Sequence, residues 1–227
     1  SDGSVAGTNV FMPTTMGHKL FHSYPIRLNN TDRITVSNLD LGYTGTNFPA
    51  LSGNGIYGQS CDSLSILNTT MDSRSGGINV YLGSDVRVLN NTISNARTGI
   101  NLNSITGNSL PRAVIVQGNT FSGTLGMSTG LYMTSIHDQV ISDGSVAGTN
   151  VFMPTTMGHK LFHSYPVRLN NTDRTTVSNL DLGYTGTNFP ALSGNGIYAQ
   201  SCDSLSILNT TMDSRSGGIN VYLGSDV

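Results

Sequence analysis

Glutamate is absent from this chain, and all 13 of its acidic residues are aspartate. Lysine is nearly as scarce, occurring only as Lys19 and Lys160. Glu and Lys are among the better helix formers, so losing both removes the usual composition of a surface helix. Gly, Ser, Thr and Asn take over the polar coat, a mixture that favours strands and turns. A formal net charge of −2 gives no electrostatic reason to expect nucleic acid or an anionic membrane as partner. No apolar run approaches the ~20 residues of a membrane-spanning helix. No signal peptide is present, although a chain that starts without Met and in mid-pattern is expected to be cut from something longer.

What the chain does have is repetition. Residues 1–86 return as residues 142–227 with three differences: Ile26 becomes Val167, Ile34 becomes Thr175 and Gly58 becomes Ala199. The offset is 141, so 227 residues stop short of two full units. The expected organisation is a complete unit over 1–141 and a partial one over 142–227, in one continuous solenoid.

A finer period lies inside the unit. Anchors begin at Pro25-Ile26-Arg27-Leu28, Gly55-Ile56-Tyr57-Gly58, Gly77-Ile78-Asn79-Val80, Gly99-Ile100-Asn101-Leu102 and Gly130-Leu131-Tyr132-Met133, then Pro166-Val167-Arg168-Leu169. The steps are 30, 22, 22, 31 and 36 residues, which together make one unit. Each anchor is followed by a second short strand, as at Ile34-Thr35-Val36, Leu64-Ser65-Ile66, Val86-Arg87-Val88 and Val114-Ile115-Val116. A further apolar residue comes five positions on, at Leu41, Met71, Ile93 and Phe121. Alternation with a period of two puts the aliphatic residues on one face and Arg27, Asn79, Asn101 and Arg87 on the other. Stacking like over like predicts one inward column of Ile26, Ile56, Ile78, Ile100 and Leu131. A second runs through Leu28, Gly58, Val80, Leu102 and Met133. Asn recurs at the bend after the second strand, at Asn38, Asn68, Asn90, Asn91 and Asn119, where left-handed backbone and amide ladders suit it.

The succession Gly77-Ile78-Asn79-Val80, Val86-Arg87-Val88, Asn90 and Ile93 resembles the parallel β-helix repeat of the pectin-lyase-like superfamily. The resemblance covers nearly the whole chain. It implies an all-β, right-handed parallel β-helix of about eight rungs, five to each unit. It does not select a function, because that superfamily includes lyases, hydrolases, epimerases, tailspikes and adhesins. The low Lys and Glu content resembles secreted bacterial surface proteins, so an extracellular, cell-surface location is expected. A β-sandwich is the structural competitor. Sequons at Asn29, Asn68 and Asn90 fit a glycoprotein, but an Asn-rich chain produces them by chance.

The shortest turn is 22 residues, and most longer turns gain their extra length between the second strand and the next anchor. Their loops should therefore leave at one corner and form a stripe, the usual binding face of a solenoid. The stripe would carry Tyr43, Phe48, His18, His22 and Tyr24. Its second copy would carry Tyr184, Phe189, His159, His163 and Tyr165. The bland reading is that these aromatics fold back onto the coil. A smaller insertion, near Ser104 to Arg112, leaves elsewhere.

Catalytic chemistry is thinly represented. His18 and His22, like His159 and His163, are four apart, a metal-binding spacing on a helix but not in a loop without a nearby carboxylate. Asn30-Thr31-Asp32 is similar to one motif of the polygalacturonases, whose other motifs are missing. Asp32 is placed in a turn before a strand, and no Asp pair is expected to stack in adjacent turns; Asp62 and Asp85 are expected to approach each other as turn caps. Glycoside hydrolysis needs two carboxylates at defined separation. Cys61 and Cys202 occupy the same place in consecutive units, roughly 24 Å apart at about 4.8 Å per rung, beyond disulfide reach.

No catalytic residue, metal or cofactor is therefore assigned. The expected function is structural: a module of an extracellular stalk, adhesin or filament, whose partners are copies of itself and glycans. The competing expectation is a carbohydrate-active enzyme or tailspike-type depolymerase.

Overall fold

A computed structural model of the chain describes residues 3–6, 26–41, 51–72, 74–94, 96–107, 113–122, 129–142, 145–146, 165–182, 192–212 and 215–227. These residues form strands and bends, with no helix among them. Every ladder between the strands is parallel, which excludes the β-sandwich and gives a parallel β-helix.

In chain order the strands are β1 (Gly3–Ala6), β2 (Ile26–Ser37), β3 (Asp40–Leu41), β4 (Leu51–Leu67), β5 (Thr70–Asp72), β6 (Arg74–Ser84), β7 (Val86–Leu89), β8 (Thr92–Ser94) and β9 (Thr98–Thr106). They continue as β10 (Val114–Gln117), β11 (Thr120–Ser122), β12 (Thr129–Ser142), β13 (Ser145–Val146), β14 (Tyr165–Ser178), β15 (Leu192–Gln200), β16 (Asp203–Leu208) and β17 (Arg215–Tyr222). Each turn runs along a first face, bends, follows a second face, bends again and crosses a short third face. Strands β2, β4, β12 and β14 cover the first two faces unbroken, whereas β6–β7, β9–β10 and β15–β16 cover them in two pieces. The third face is a separate sheet of β3, β5, β8, β11 and β13.

The bends are made by single residues in the left-handed region. Asn30, Ser60, Leu82, Ser104, Ser135, Asn171, Ser201 and Leu223 make the bend where the first face ends. Arg33, Ser63, Asp85, Arg174, Ser204 and Asp226 open the second face, and Asn38, Asn68, Asn90, Asn179 and Asn209, with Gly118, close it. Asn and Gly adopt this conformation at least cost, which explains the recurring Asn. Asn91 and Asn119 are not left-handed bend residues but make the expected amide ladder. They lie one residue past the bend, 1% exposed, and point inward. Asn119 Oδ1 accepts from Asn91 N and Nδ2, both at 3.0 Å, and Asn91 Oδ1 accepts from Thr69 N at 3.0 Å. Their amides also donate to the carbonyls of Ile66 and Val88. The result is a buried amide ladder that satisfies backbone groups where the chain turns onto the third face.

The interior is aliphatic, as the alternation predicted. Ile26, Ile56, Ile78, Ile100 and Leu131 stack in one column, and Leu28, Gly58, Val80, Leu102 and Met133 in the next. Met71, Ile93 and Phe121 close the third side from the short strands. Each fully buried aliphatic side chain contributes about 1.5–3 kcal/mol by leaving water. Space explains the anchor glycines. A Cβ on Gly77 would stand 2.5 Å from Gly99 O and 2.7 Å from Ile93 Cγ2; one on Gly99 would run into the Phe121 ring. First-face and third-face strands touch there, leaving no room for a methyl group.

The three differences between copies sit in this interior. Val167 and Ile26 are both buried, and Ala199 replaces Gly58 at a fully buried site. Thr175 is 1% exposed, and its hydroxyl donates to Asp173 O at 3.4 Å, so the buried polar group has a partner in its own strand. Cys61 and Cys202 are free and fully buried in the column that turns the corner, each 3.2 Å from a threonine hydroxyl, Thr31 or Thr172.

The two copies meet through the same kind of ladder that holds each together. Strand β12 pairs with β14 from Thr129↔Tyr165 to Ser142↔Ser178, as β2 pairs with β4 from Ile26↔Ile56 to Ser37↔Leu67. One local difference is informative. Ser145-Val146 pairs with Thr120-Phe121 on the third face, yet the identical Ser4-Val5 pairs with Thr35-Val36 on the second. There β1 takes the place that Gln139–Ser142 takes beside Thr175–Ser178, because a row of unpaired strand groups accepts whatever extended segment reaches it.

Candidate functional site

The loop stripe expected to carry binding falls almost wholly outside the described residues. That holds for His18, His22, Tyr24, Tyr43, Phe48, His159, His163, Tyr184 and Phe189; of the ten, Tyr165 is described, as the first residue of β14, paired with Thr129. The functional candidates among the described residues lie instead on the outward side of the first face and on the bend beside it.

The outward column reads Arg27, Tyr57, Asn79, Asn101, Tyr132, Arg168, Tyr198 and Asn220 along the axis. Arg27, Asn79 and Asn101 were expected outside. The tyrosines between them were missed, although the third residue of every anchor carries the signal once the register is fixed. Arg168 lies between two rings, its guanidinium carbon 5.1 Å from the Tyr132 centroid and 5.8 Å from that of Tyr198. Arg27 makes the same contact with Tyr57 at 5.8 Å. Such contacts are worth roughly 0.5–1 kcal/mol each at an exposed surface. Asn101 Nδ2 reaches Asn79 Oδ1 at 3.5 Å, continuing the column as amides. In the neighbouring column Gln59 and Gln200 accept from the hydroxyls of Tyr57 and Tyr198 at 3.2 and 3.3 Å. This is a flat surface of rings, amides and guanidinium groups with no carboxylate in it.

The carboxylates stand on the bend, and here the expectation needs correction. Asp32 is register partner to Asp62, and Asp173 to Asp203, so acidic residues do stack in adjacent turns in both copies. The expectation failed because it placed Asp32 in a turn outside the strand. In the structure β2 runs on through the bend without losing register. Asp62 accepts from Ser84 Oγ at 2.8 Å, its counterpart Asp203 accepts from Ser225 Oγ at 2.8 Å, and Asp85 is a buried bend residue. His137 Nδ1 stands 2.7 Å from Asp173 on the other side, and Arg33 is 3.7 Å from Asp32. The line His137, Asp173, Asp203, Ser225 is therefore a polar ladder along an outer corner. On the second face, burial pulls the Arg87 guanidinium below its ordinary value, and the charge of Asp85 pushes it back up.

No family model and no curated protein matches the sequence, so the resemblance to the pectin-lyase-like repeat rests on the rung pattern alone. Among solved structures, a crystal structure of PfbA, a surface adhesin of Streptococcus pneumoniae, is similar with TM-score 0.45 and 12% identity over 88% of this chain. A second structure of the same adhesin gives TM-score 0.37 and 11% identity, again over 88% of this chain. The chain spans 59% and 64% of those two chains.

Proposed function

We propose that this chain is a length-building module of an extracellular, cell-surface stalk, adhesin or filament, in which tandem units join into one rod. The observation that carries this reading is the ladder between β12 and β14, which unites the copies as closely as any two turns inside a copy. Domains strung on linkers would lack that ladder. Near-identity supports the same reading, since 83 of 86 compared positions are unchanged and the three changes are inward. Nearest-neighbour stacking makes stability and length grow together with copy number. The loop stripe would add lateral contacts between copies or weak glycan contacts, multiplied by repetition.

Small-angle scattering on chains of one, two and four units tests the reading. Each added unit should lengthen the particle by roughly 24 Å, five rungs at about 4.8 Å. Profiles of independently tumbling beads would sink it.

A second reading has one observation in its favour: the stacked carboxylates Asp32–Asp62 and Asp173–Asp203. Adjacent strands hold them near the ~5 Å separation of retaining glycosidases. Against it, they lie on an outer corner, and Asp62 and Asp203 are held by serine hydroxyls. Polysaccharide cleavage by the chain, lost in Asp62→Asn with Asp203→Asn, would establish the enzyme.

A further inference from the structure

One residue breaks the rule of the bend where the first face ends. Six of the left-handed positions in that column are Asn or Ser, namely Asn30, Ser60, Ser104, Ser135, Asn171 and Ser201. Leu82 takes the same conformation, with φ at 54°, and the second copy repeats it at Leu223, φ 55°. A bulky side chain is strongly disfavoured there, and strain of this kind persists where something else requires the residue. Burial does not require it, because Leu82 is 43% exposed, and Tyr81 beside it is 39% exposed. Their register neighbours are Gln59, Ser60, Asn103 and Ser104, uncharged on both sides. An aromatic and an aliphatic side chain thus project together from an outer edge, between polar register neighbours and with Asp62 beside Ser84 on the same corner, which is the anatomy of a small interaction hot spot.

We propose that the Tyr81–Leu82 edge is the surface through which one copy of this array binds a second copy side by side. The inference deepens the rod reading and rests on it. Pitch identifies the partner. The edge returns once per 141 residues, as Tyr222–Leu223, and so would form a row spaced at roughly 24 Å along a rod. One such patch is too small to hold a globular partner. A row of them is matched by another rod of equal pitch, where each weak contact raises the effective concentration for the next.

The test uses the full chain. Sedimentation velocity across a concentration series should show self-association, and Leu82→Asn with Leu223→Asn should raise its dissociation constant at least tenfold. The double variant should melt no lower than the parent, since Asn suits the left-handed bend. Ser60→Cys, one strand from Leu82, should form intermolecular disulfides in the parent and not in the Asn background; the buried Cys61 and Cys202 do not compete. Unchanged association in the Asn variant, or a monomer at every concentration, overturns the proposal. The two levels fail separately. A rod-like scattering profile with Leu82-independent association refutes this surface alone, whereas a bead-like profile refutes the rod and with it the pitch match.

Discussion

Asn90 and Asn91 are adjacent and chemically identical, yet the structure gives them opposite sensitivities. Asn90 is exposed and serves through its backbone, φ 55°, at a bend where Gly118 does the same work a turn later. Replacing it with Gly removes the left-handed cost and adds unfolded-state entropy, two effects of about 0.5–1 kcal/mol that nearly cancel. Asn91 is buried and serves through its amide, as acceptor for Thr69 N and donor to Ile66 O and Asn119 Oδ1, all at 3.0 Å. Asn91→Gly orphans a buried N–H, which costs about 1–3 kcal/mol, and removes two further bonds of about 1 kcal/mol each. The expected difference between the two variants is therefore about 3–5 kcal/mol. Unfolding of a solenoid need not be two-state, so urea denaturation should be paired with hydrogen exchange at Thr69. The Thr69 amide should lose roughly 150- to 5,000-fold protection in Asn91→Gly and little in Asn90→Gly, at 1.36 kcal/mol per decade. If Asn91→Gly proves no worse than Asn90→Gly, the buried ladder is not supporting the turn. Leu39 and Leu180 fill the same column elsewhere, so the effect belongs to Asn91 under Thr69 and not to asparagine in general.

The remaining predictions use other internal comparisons. Gly58→Ala should be neutral or stabilising by up to about 1 kcal/mol, because its Cβ would meet Leu64 Cδ2 at 3.3 Å and the second copy already carries Ala199. Gly77→Ala should cost about 2 kcal/mol or more by thermal melting, since its Cβ would meet a backbone oxygen at 2.5 Å; equal melting temperatures for the two would refute the spatial argument. Neither thiol should react with an aromatic disulfide reagent in the native chain, and both should react in guanidinium, because Cys61 and Cys202 are fully buried. Arg168→Ala should destabilise by about 1–2 kcal/mol through two lost ring contacts and exposed stem packing, and a Tyr132→Leu background should shrink that loss. An undiminished loss in the Tyr132→Leu background would show the rings to be bystanders.

Much of the fold was legible because strand alternation is a strict signal. A period of two fixed which of Ile56, Tyr57 and Gly58 faces inward, and parallel stacking fixed what lies above each. The bends were legible only in part. Asn marks a left-handed turn in sequence, but Ser60, Arg33 and Leu82 in equivalent bends carry no such mark. Missing them put Asp32 in a turn and hid the Asp32–Asp62 stack. The roles of Asn90 and Asn91 could not be separated from sequence, because one residue decides whether an amide points to solvent or into the core. The aromatic loop residues, including Tyr43 and His18, lie beyond what the described strands address.

The ladder between β12 and β14 also bears on heredity. Because copies join in the register used within a copy, adding or removing 141 residues anywhere in the repeat leaves every strand facing the same neighbours. A slip of one residue would instead turn the aliphatic columns outward. Nearly identical units are good substrates for unequal exchange between gene copies. Selection can therefore lengthen or shorten the run of repeats in whole units, by recombination alone and without a new packing solution.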